Sequence, residues 1–264
     1  KVWKLKKSLY GLKQAPRNWS GHFKKSILAL GFLQSQCDPC AYFHFANNCF
    51  TWLLVYVDDI LISSQSEAFR EEVVGVLKSV YKLKELGEVS RYVGITVERP
   101  KLGVLVLHQR DYIVEKLVKY NIYVKVFASP RKTPLPLDVA TRLLDTATPE
   151  SADQEWVDHF PYLEIIGSLL YLSVHTRPDM AHGVGMMARY SQKRSFTACY
   201  CVCYLLSYLS GTVNLGVTYR RTRFGLDFHG FSDADWAGDL EHRRSTFGYV
   251  IFFALGPVSW MSKL

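Results

Sequence analysis

The sequence lacks most of the features that would place it quickly in a class. No apolar run approaches the about 20 residues of a membrane span; Cys199 to Leu209 is too short and ends at Ser-Gly. There is no secretory signal peptide, so reduced intracellular thiols are the default for the six cysteines. Those cysteines make no metal framework. Cys37/Cys40 is a lone C-x-x-C, Cys199, Cys201 and Cys203 alternate within an apolar run, and neither group has a second Cys/His pair at zinc spacing. No internal repeat and no low-complexity tract is present, which sets aside repeat arrays and compositional disorder. An initiating Met is also lacking, and Leu264 directly follows a strand-like segment, so the sequence reads as a fragment.

The 264 residues are enough for two compact units. A hydrophobic share of 48% and a charged share of 21% are ordinary for a soluble protein. The net charge of +8 suits a polyanionic partner without requiring one. The basic residues form several groups: Lys1, Lys4, Lys6, Lys7, Lys13 and Arg17; then Arg220, Arg221 and Arg223; then Arg243 and Arg244. A solvated face explains any one of them as well as nucleic-acid contact does.

Taken in order, Ala15-Pro16 opens a helix, with Trp19, Phe23, Ile27 and Leu30 as its buried stripe and Gly31 at its end. A Cys-Asp-Pro-Cys turn leads to a strand over 41–45, and Asn47-Asn48 to a second strand. Ser64-Gln65-Ser66-Glu67 reads as a capping box for a helix with Phe69, Val73, Val76, Leu77 and Val80 on one face. Strands over 91–97 and 104–108 pair as a hairpin, and a helix over 111–120 turns Ile113, Leu117 and Tyr120 inward. Pro130, Pro134, Pro136 and Pro149 mark a linker. Helices over 160–174, 178–191 and 195–209 follow, then strands over 217–219, 226–233, 246–254 and 258–262.

One stretch does not fit a plain scaffold. In Phe50 to Ser63 two adjacent carboxylates, Asp58 and Asp59, interrupt a β-branched apolar run. Burying like charges side by side is costly without a compensating partner, and Asp is a poor strand residue. The pattern predicts strand, tight turn, strand, with the carboxylates at the turn. Two readings stay open on these residues: an ordinary Asp-Asp hairpin turn, or a site for a divalent cation, which takes oxygen ligands.

Ser8 to Trp19 (SLYGLKQAPRNW) followed by Tyr56-Val57-Asp58-Asp59 resembles the Pol polyprotein of copia-type long-terminal-repeat retrotransposons. Gly167 to Leu172, Thr176-Arg177-Pro178-Asp179, Tyr208 to Thr212, Ser232 to Gly238 and Arg243 to Thr246 continue the match in the same order. The resemblance implies an α+β architecture: a partial reverse-transcriptase palm, then thumb and connection helices, then the first strands of a ribonuclease H-like fold. It divides the chain at 1–128, a Pro-rich linker over 129–159, a helical region over 160–223 and the ribonuclease H strands over 224–264. It implies RNA-directed DNA polymerase chemistry with Mg2+, Asp58 and Asp59 being ligands. Tyr10, Gly11, Lys13, Tyr56 and Val57 would meet the incoming deoxynucleoside triphosphate or primer end. Arg17, Arg91, Tyr92 and Gly94 would meet the RNA/DNA template-primer, and Asp233 would be a ribonuclease H metal ligand. Asp235 and Asp239 read as turn and surface residues.

The resemblance also implies the rest of the Pol polyprotein as a partner, no membrane, and an intracellular place in a cytoplasmic virus-like particle. It places a further metal-binding Asp upstream and further acidic ligands downstream, so the isolated chain is expected to be inactive. The helix over 195–209 departs from the family, which usually has a His-Trp pair and basic residues there; its outer face is expected to be sticky, as in a decaying genomic copy. Two other classes compete with the enzyme reading: a non-catalytic nucleic-acid-binding remnant, and a structural module unrelated to nucleic acid, which leaves the Asp-Asp turn unexplained.

Overall fold

The computed structural model describes residues 5–136, 151–192, 194–221, 228–239 and 242–264. Lys1, Lys4, Pro149, Arg223 and the start of the strand expected at Leu226 lie outside the described residues, as does the stretch 137–150 of the expected linker. The architecture is mixed: helices with three antiparallel sheets, divided by contacts into one unit through Val89 and a second from Ser90. Among the described residues no helix is long and apolar enough to cross a membrane.

The first unit is a four-stranded sheet with two helices. Its elements are α1 (Ala15–Ala29), β1 (Leu33–Gln34), β2 (Ala41–Ala46), β3 (Cys49–Tyr56), β4 (Asp59–Ser64) and α2 (Glu67–Val80), with the strands in sequence order. Tyr42, Leu53 and Ile62 stand in register on one face of the sheet. They pack with Phe23 and Ile27 of α1 and Val73 and Leu77 of α2 into one core. The period-2 alternation of a half-buried sheet places the next residues outward. Phe43, Phe45, Phe50 and Trp52 therefore form a connected set of rings on the other face.

Three sequence expectations change here. Trp19 lies at the margin of the α1 stripe, 36% exposed, rather than inside it. On α2, Val76 and Val80 are exposed, because the buried stripe narrows to Val73 and Leu77. The cap of α2 is Ser66, not Ser64: its hydroxyl accepts from the Phe69 amide. That register puts Glu67 at the first helical position, where it pairs with Arg70 instead of closing a capping box.

The second unit holds β5 (Arg91–Tyr92), β6 (Ile95–Lys101), β7 (Val104–His108), α3 (Arg110–Lys119), α4 (Asn121–Val124), α5 (Ser151–His159) and α6 (Tyr162–His175). After a 3-10 turn over Pro178–Met180 come α7 (Ala181–Arg189), α8 (Phe196–Gly211), β8 (Val217–Arg220), β9 (Phe228–Ala234), β10 (Phe247–Phe253) and β11 (Gly256–Lys263). The single strand expected over 91–97 is two strands turning at Val93-Gly94, where both residues take positive φ, +47° and +76°. β8 pairs with β7, closing the sheet β5-β6-β7-β8 across more than a hundred residues of chain.

Helix α8 is the centre of this unit. Ala198, Cys199, Cys201, Val202, Cys203, Leu205, Leu206 and Leu209 are buried. A helix apolar all round belongs inside a core, and that overturns the expected sticky outer face. Burial pushes the Cys199 and Cys203 thiols up to about 12, so they act as small apolar side chains. The third sheet, β11-β10-β9, is tied to the helices by the Trp260 indole, which donates to the Ser173 carbonyl at 2.7 Å.

Candidate active site

In the first unit, β3 and β4 pair from Thr51–Ser64 to Tyr56–Asp59, which leaves Val57 and Asp58 as a two-residue hairpin loop. Of the two, Val57 takes a positive φ of +56°. Positive φ at the first loop residue is the pattern of a type II′ turn, which matches the right-handed twist of the strands but normally carries Gly there. A β-branched residue in that region costs about 1–3 kcal/mol. The strain sits one residue before Asp58.

Asp58 and Asp59 are both exposed at this tip. At the tip of the turn the like charges are solvated, and their repulsion needs no buried compensation. Among the described residues, neither carboxylate is used in a hydrogen bond or an ion pair of the fold. Their oxygens are free acceptors of the hard type that Mg2+ takes. The donor chemistry fits the cation, though no cluster of three or more metal-ligating side chains forms among the described residues. Tyr56, also exposed, flanks the pair on β3.

The tip is held from α1. Trp19 donates its indole N–H to the Val57 carbonyl at 2.7 Å. The Trp19 ring meets Phe23 at 5.8 Å and, edge-on, Tyr81 at 5.4 Å. The segment leading into α1 carries the other expected contacts. Tyr10 is fully exposed. Gly11 has φ +93°, and an added Cβ would meet nothing within 4 Å, so its glycine is required for backbone conformation and leaves open space above it. Lys13 and Arg17 are exposed on the way into the helix. The spacing that places Trp19 in the α1 stripe carries no sign of its bond to the turn beyond a polar indole edge at the rim of that stripe.

In the second unit, the Val93-Gly94 turn is gripped by Tyr171 of α6, whose hydroxyl donates to the Val93 carbonyl at 2.8 Å. An added Cβ at Gly94 would lie 2.3 Å from that hydroxyl oxygen, so glycine is needed here for the fold itself. Arg91 pairs with Asp111 at 2.6 Å while remaining largely exposed, and Tyr92 is half-buried.

Asp233 lies on β9 opposite Gly248, exposed, and among the described residues its carboxylate accepts only the next amide, Ala234, at 2.9 Å. Asp235 instead staples its loop. Its Oδ1 accepts from the Thr246 and Gly238 amides, and those backbone bonds hold its carboxyl below the usual range. Asp239 accepts from the His242 amide and pairs with its ring.

The family model for "Reverse transcriptase (RNA-dependent DNA polymerase)" matches residues 1–134. Over its whole length the chain is 36% identical to the retrovirus-related Pol polyprotein from transposon TNT 1-94 of Nicotiana tabacum, covering 20% of that protein. It is 33% identical over 99% of its length to the one from transposon RE1 of Arabidopsis thaliana, covering 17%. A putative transposon Ty5-1 protein of Saccharomyces cerevisiae is 29% identical over 99% of the chain, which covers 82% of it. The chain therefore spans about a fifth of the length of the plant polyproteins it matches. No solved structure matches it. A match over half the chain, with the Asp-Asp hairpin inside it, establishes that the chain belongs to the reverse transcriptase (RNA-dependent DNA polymerase) family.

Proposed function

We propose that this chain serves RNA- and DNA-templated DNA synthesis as part of a copia-type transposon Pol polyprotein, and that Asp58 and Asp59 are its polymerase carboxylates. The observation that carries this reading is the pair of solvated, unengaged carboxylates on a strained two-residue turn, fixed from α1. Bound Mg2+ would activate the primer 3′-hydroxyl and neutralise charge on the leaving pyrophosphate. Asp58 and Asp59 would hold it, Asp58 as ligand and Asp59 as ligand or turn-former. Tyr56 and Val57 would lie against the primer end. Tyr10 and Gly11 would receive the incoming nucleotide, the open space over Gly11 admitting its sugar and base. Lys13 and Arg17, exposed and cationic, would meet phosphate.

In the second unit, the Arg91-Tyr92-Val93-Gly94 turn would contact the primer strand, Arg91 exchanging Asp111 for a phosphate. Asp233 would be the first carboxylate of a ribonuclease H site within 224–264. The division at 128, 159 and 223 belongs to the same reading, as do the virus-like particle and the polyprotein partner. Two carboxylates make a partial site, so the isolated 264-residue chain should not extend primers.

The test is Mg2+-dependent primer extension by a Pol polyprotein containing this chain. Asp58→Asn should cut the rate by more than about 100-fold, the scale of losing several kcal/mol of charge stabilisation. An Asp58→Asn variant that still extends primers at the original rate would sink the reading. A second reading, a non-catalytic nucleic-acid-binding remnant, draws on the absence of a third ligand beside Asp58 and Asp59 among the described residues. It predicts template-primer binding without extension.

A further inference from the structure

Val57 is the residue whose conformation demands a cause. It is β-branched, exposed, and at φ +56° in a position where glycine is usual. Such a conformation persists where the surroundings over-determine it. The contact that fastens this loop residue is the Trp19 indole N–H on its carbonyl, at 2.7 Å.

We propose that Trp19 is a positioning residue for the Asp58–Asp59 pair, acting through the peptide unit between Val57 and Asp58. This rests on the polymerase reading above. The Val57 carbonyl and the Asp58 amide belong to one planar group. Fixing the direction of that carbonyl therefore fixes the orientation in which the chain enters Asp58, and with it the direction from which the first carboxylate leaves the backbone. The strained turn and the indole then form one device: the turn alone would relax, and the indole holds it in the less populated form.

The indole is itself immobilised, as a positioning group must be. Its ring closes a triangle with Phe23, buried in the core, and Tyr81, which themselves meet at 5.7 Å. The Tyr81 hydroxyl is bonded to both His22 Nδ1 and Ser26 Oγ at 2.9 Å, so it is fastened to the same helix. That helix starts four residues after Gly11, and the turn before it is closed by the Ala15 amide on the Leu12 carbonyl at 3.0 Å. Trp19 thus links the segment proposed to receive the nucleotide with the turn proposed to carry the ligands. A purely packing role would need the ring system and not its N–H.

The deciding substitution keeps the shape and deletes the donor: 3-benzothienylalanine in place of Trp19, in a Pol polyprotein containing this chain, beside Asp58→Asn and the packing control Val73→Ala. The donor-less isostere should lower kcat about tenfold and raise the half-saturating Mg2+ concentration, with nucleotide KM and template-primer affinity within about twofold and thermal stability near wild type. Val73→Ala, in the same core but with no ring contact to Trp19, should lower thermal stability while leaving kcat at permissive temperature and the Mg2+ dependence unchanged. An isostere with wild-type kcat and Mg2+ dependence overturns the proposal, while extension surviving Asp58→Asn overturns the polymerase reading beneath it; the two failures are told apart by which variant stays active.

Discussion

Arg177 shows how a motif residue can be conspicuous for reasons unconnected with chemistry. Its guanidinium is fully buried and almost wholly engaged. Nε and Nη2 donate to the Asp179 carboxylate at 3.0 and 2.7 Å, and Nη1 and Nη2 to the Thr212 carbonyl and hydroxyl at 3.1 and 2.7 Å. The Tyr208 hydroxyl donates to the same carboxylate at 2.7 Å. Burial pushes the Asp179 carboxyl up, but the bonds and charge of Arg177 and the Tyr208 donor outweigh it, and the net is below the usual range. A carboxyl depressed in the folded state stabilises the fold above its unfolded value, near 3.9, and that stabilisation is lost as pH falls through the folded value. Urea unfolding between about pH 5 and 2 should therefore steepen less with acid in Asp179→Asn than in wild type. Equal slopes would show that the pair is not linked to folding. At this scale the sequence was legible where a residue type was anomalous, as with Asp58 and Asp59 in an apolar run. It was not legible where a side chain acts on a distant backbone carbonyl, as Trp19 and Tyr171 do, because a carbonyl has no residue type to read.

Elements were legible where periodicity was strong. Phe23 and Ile27 of the α1 stripe, the strands flanking Asp58-Asp59 and the helix around Ile113 follow from spacing alone. What spacing missed was decided by local backbone competition or by partners far along the chain. Ser66 displaced Ser64 as the cap, the run over 91–97 broke at Val93-Gly94, and β8 found β7. The Val93-Gly94 turn makes a clean test of element-scale constraint. Gly94→Ala meets two costs, a positive φ of about 1–3 kcal/mol and a collision with the Tyr171 hydroxyl. In a Tyr171→Phe background the collision is gone and only the first cost remains. A double-mutant cycle on thermal unfolding should show Gly94→Ala costing less beside Tyr171→Phe than alone. Strict additivity would mean that the hydroxyl does not set the turn.

For the molecule as a whole, the family was written in short ordered motifs, and contacts divide the chain into units at Val89. The apolar helix α8 carried the clearest lesson. An unbroken apolar sequence can mark the inside of a unit as readily as a damaged surface, and only the surrounding helices decide which. Strand β9 is the opposite case. Every residue from Phe228 to Ala234 is exposed, among the described residues it borders its sheet, and Phe228 and Phe231 stand in solvent. A strand at the border of its sheet that carries exposed aromatic rings is a template on which another strand can form. Its practical consequence is colloidal: at rising concentration the chain should self-associate through β9, with light scattering that increases faster than concentration. Phe231→Lys, a charge of the kind natural edge strands use as a guard, should abolish that growth without shifting thermal unfolding by more than about 0.5 kcal/mol, and scattering that persists unchanged would acquit the strand.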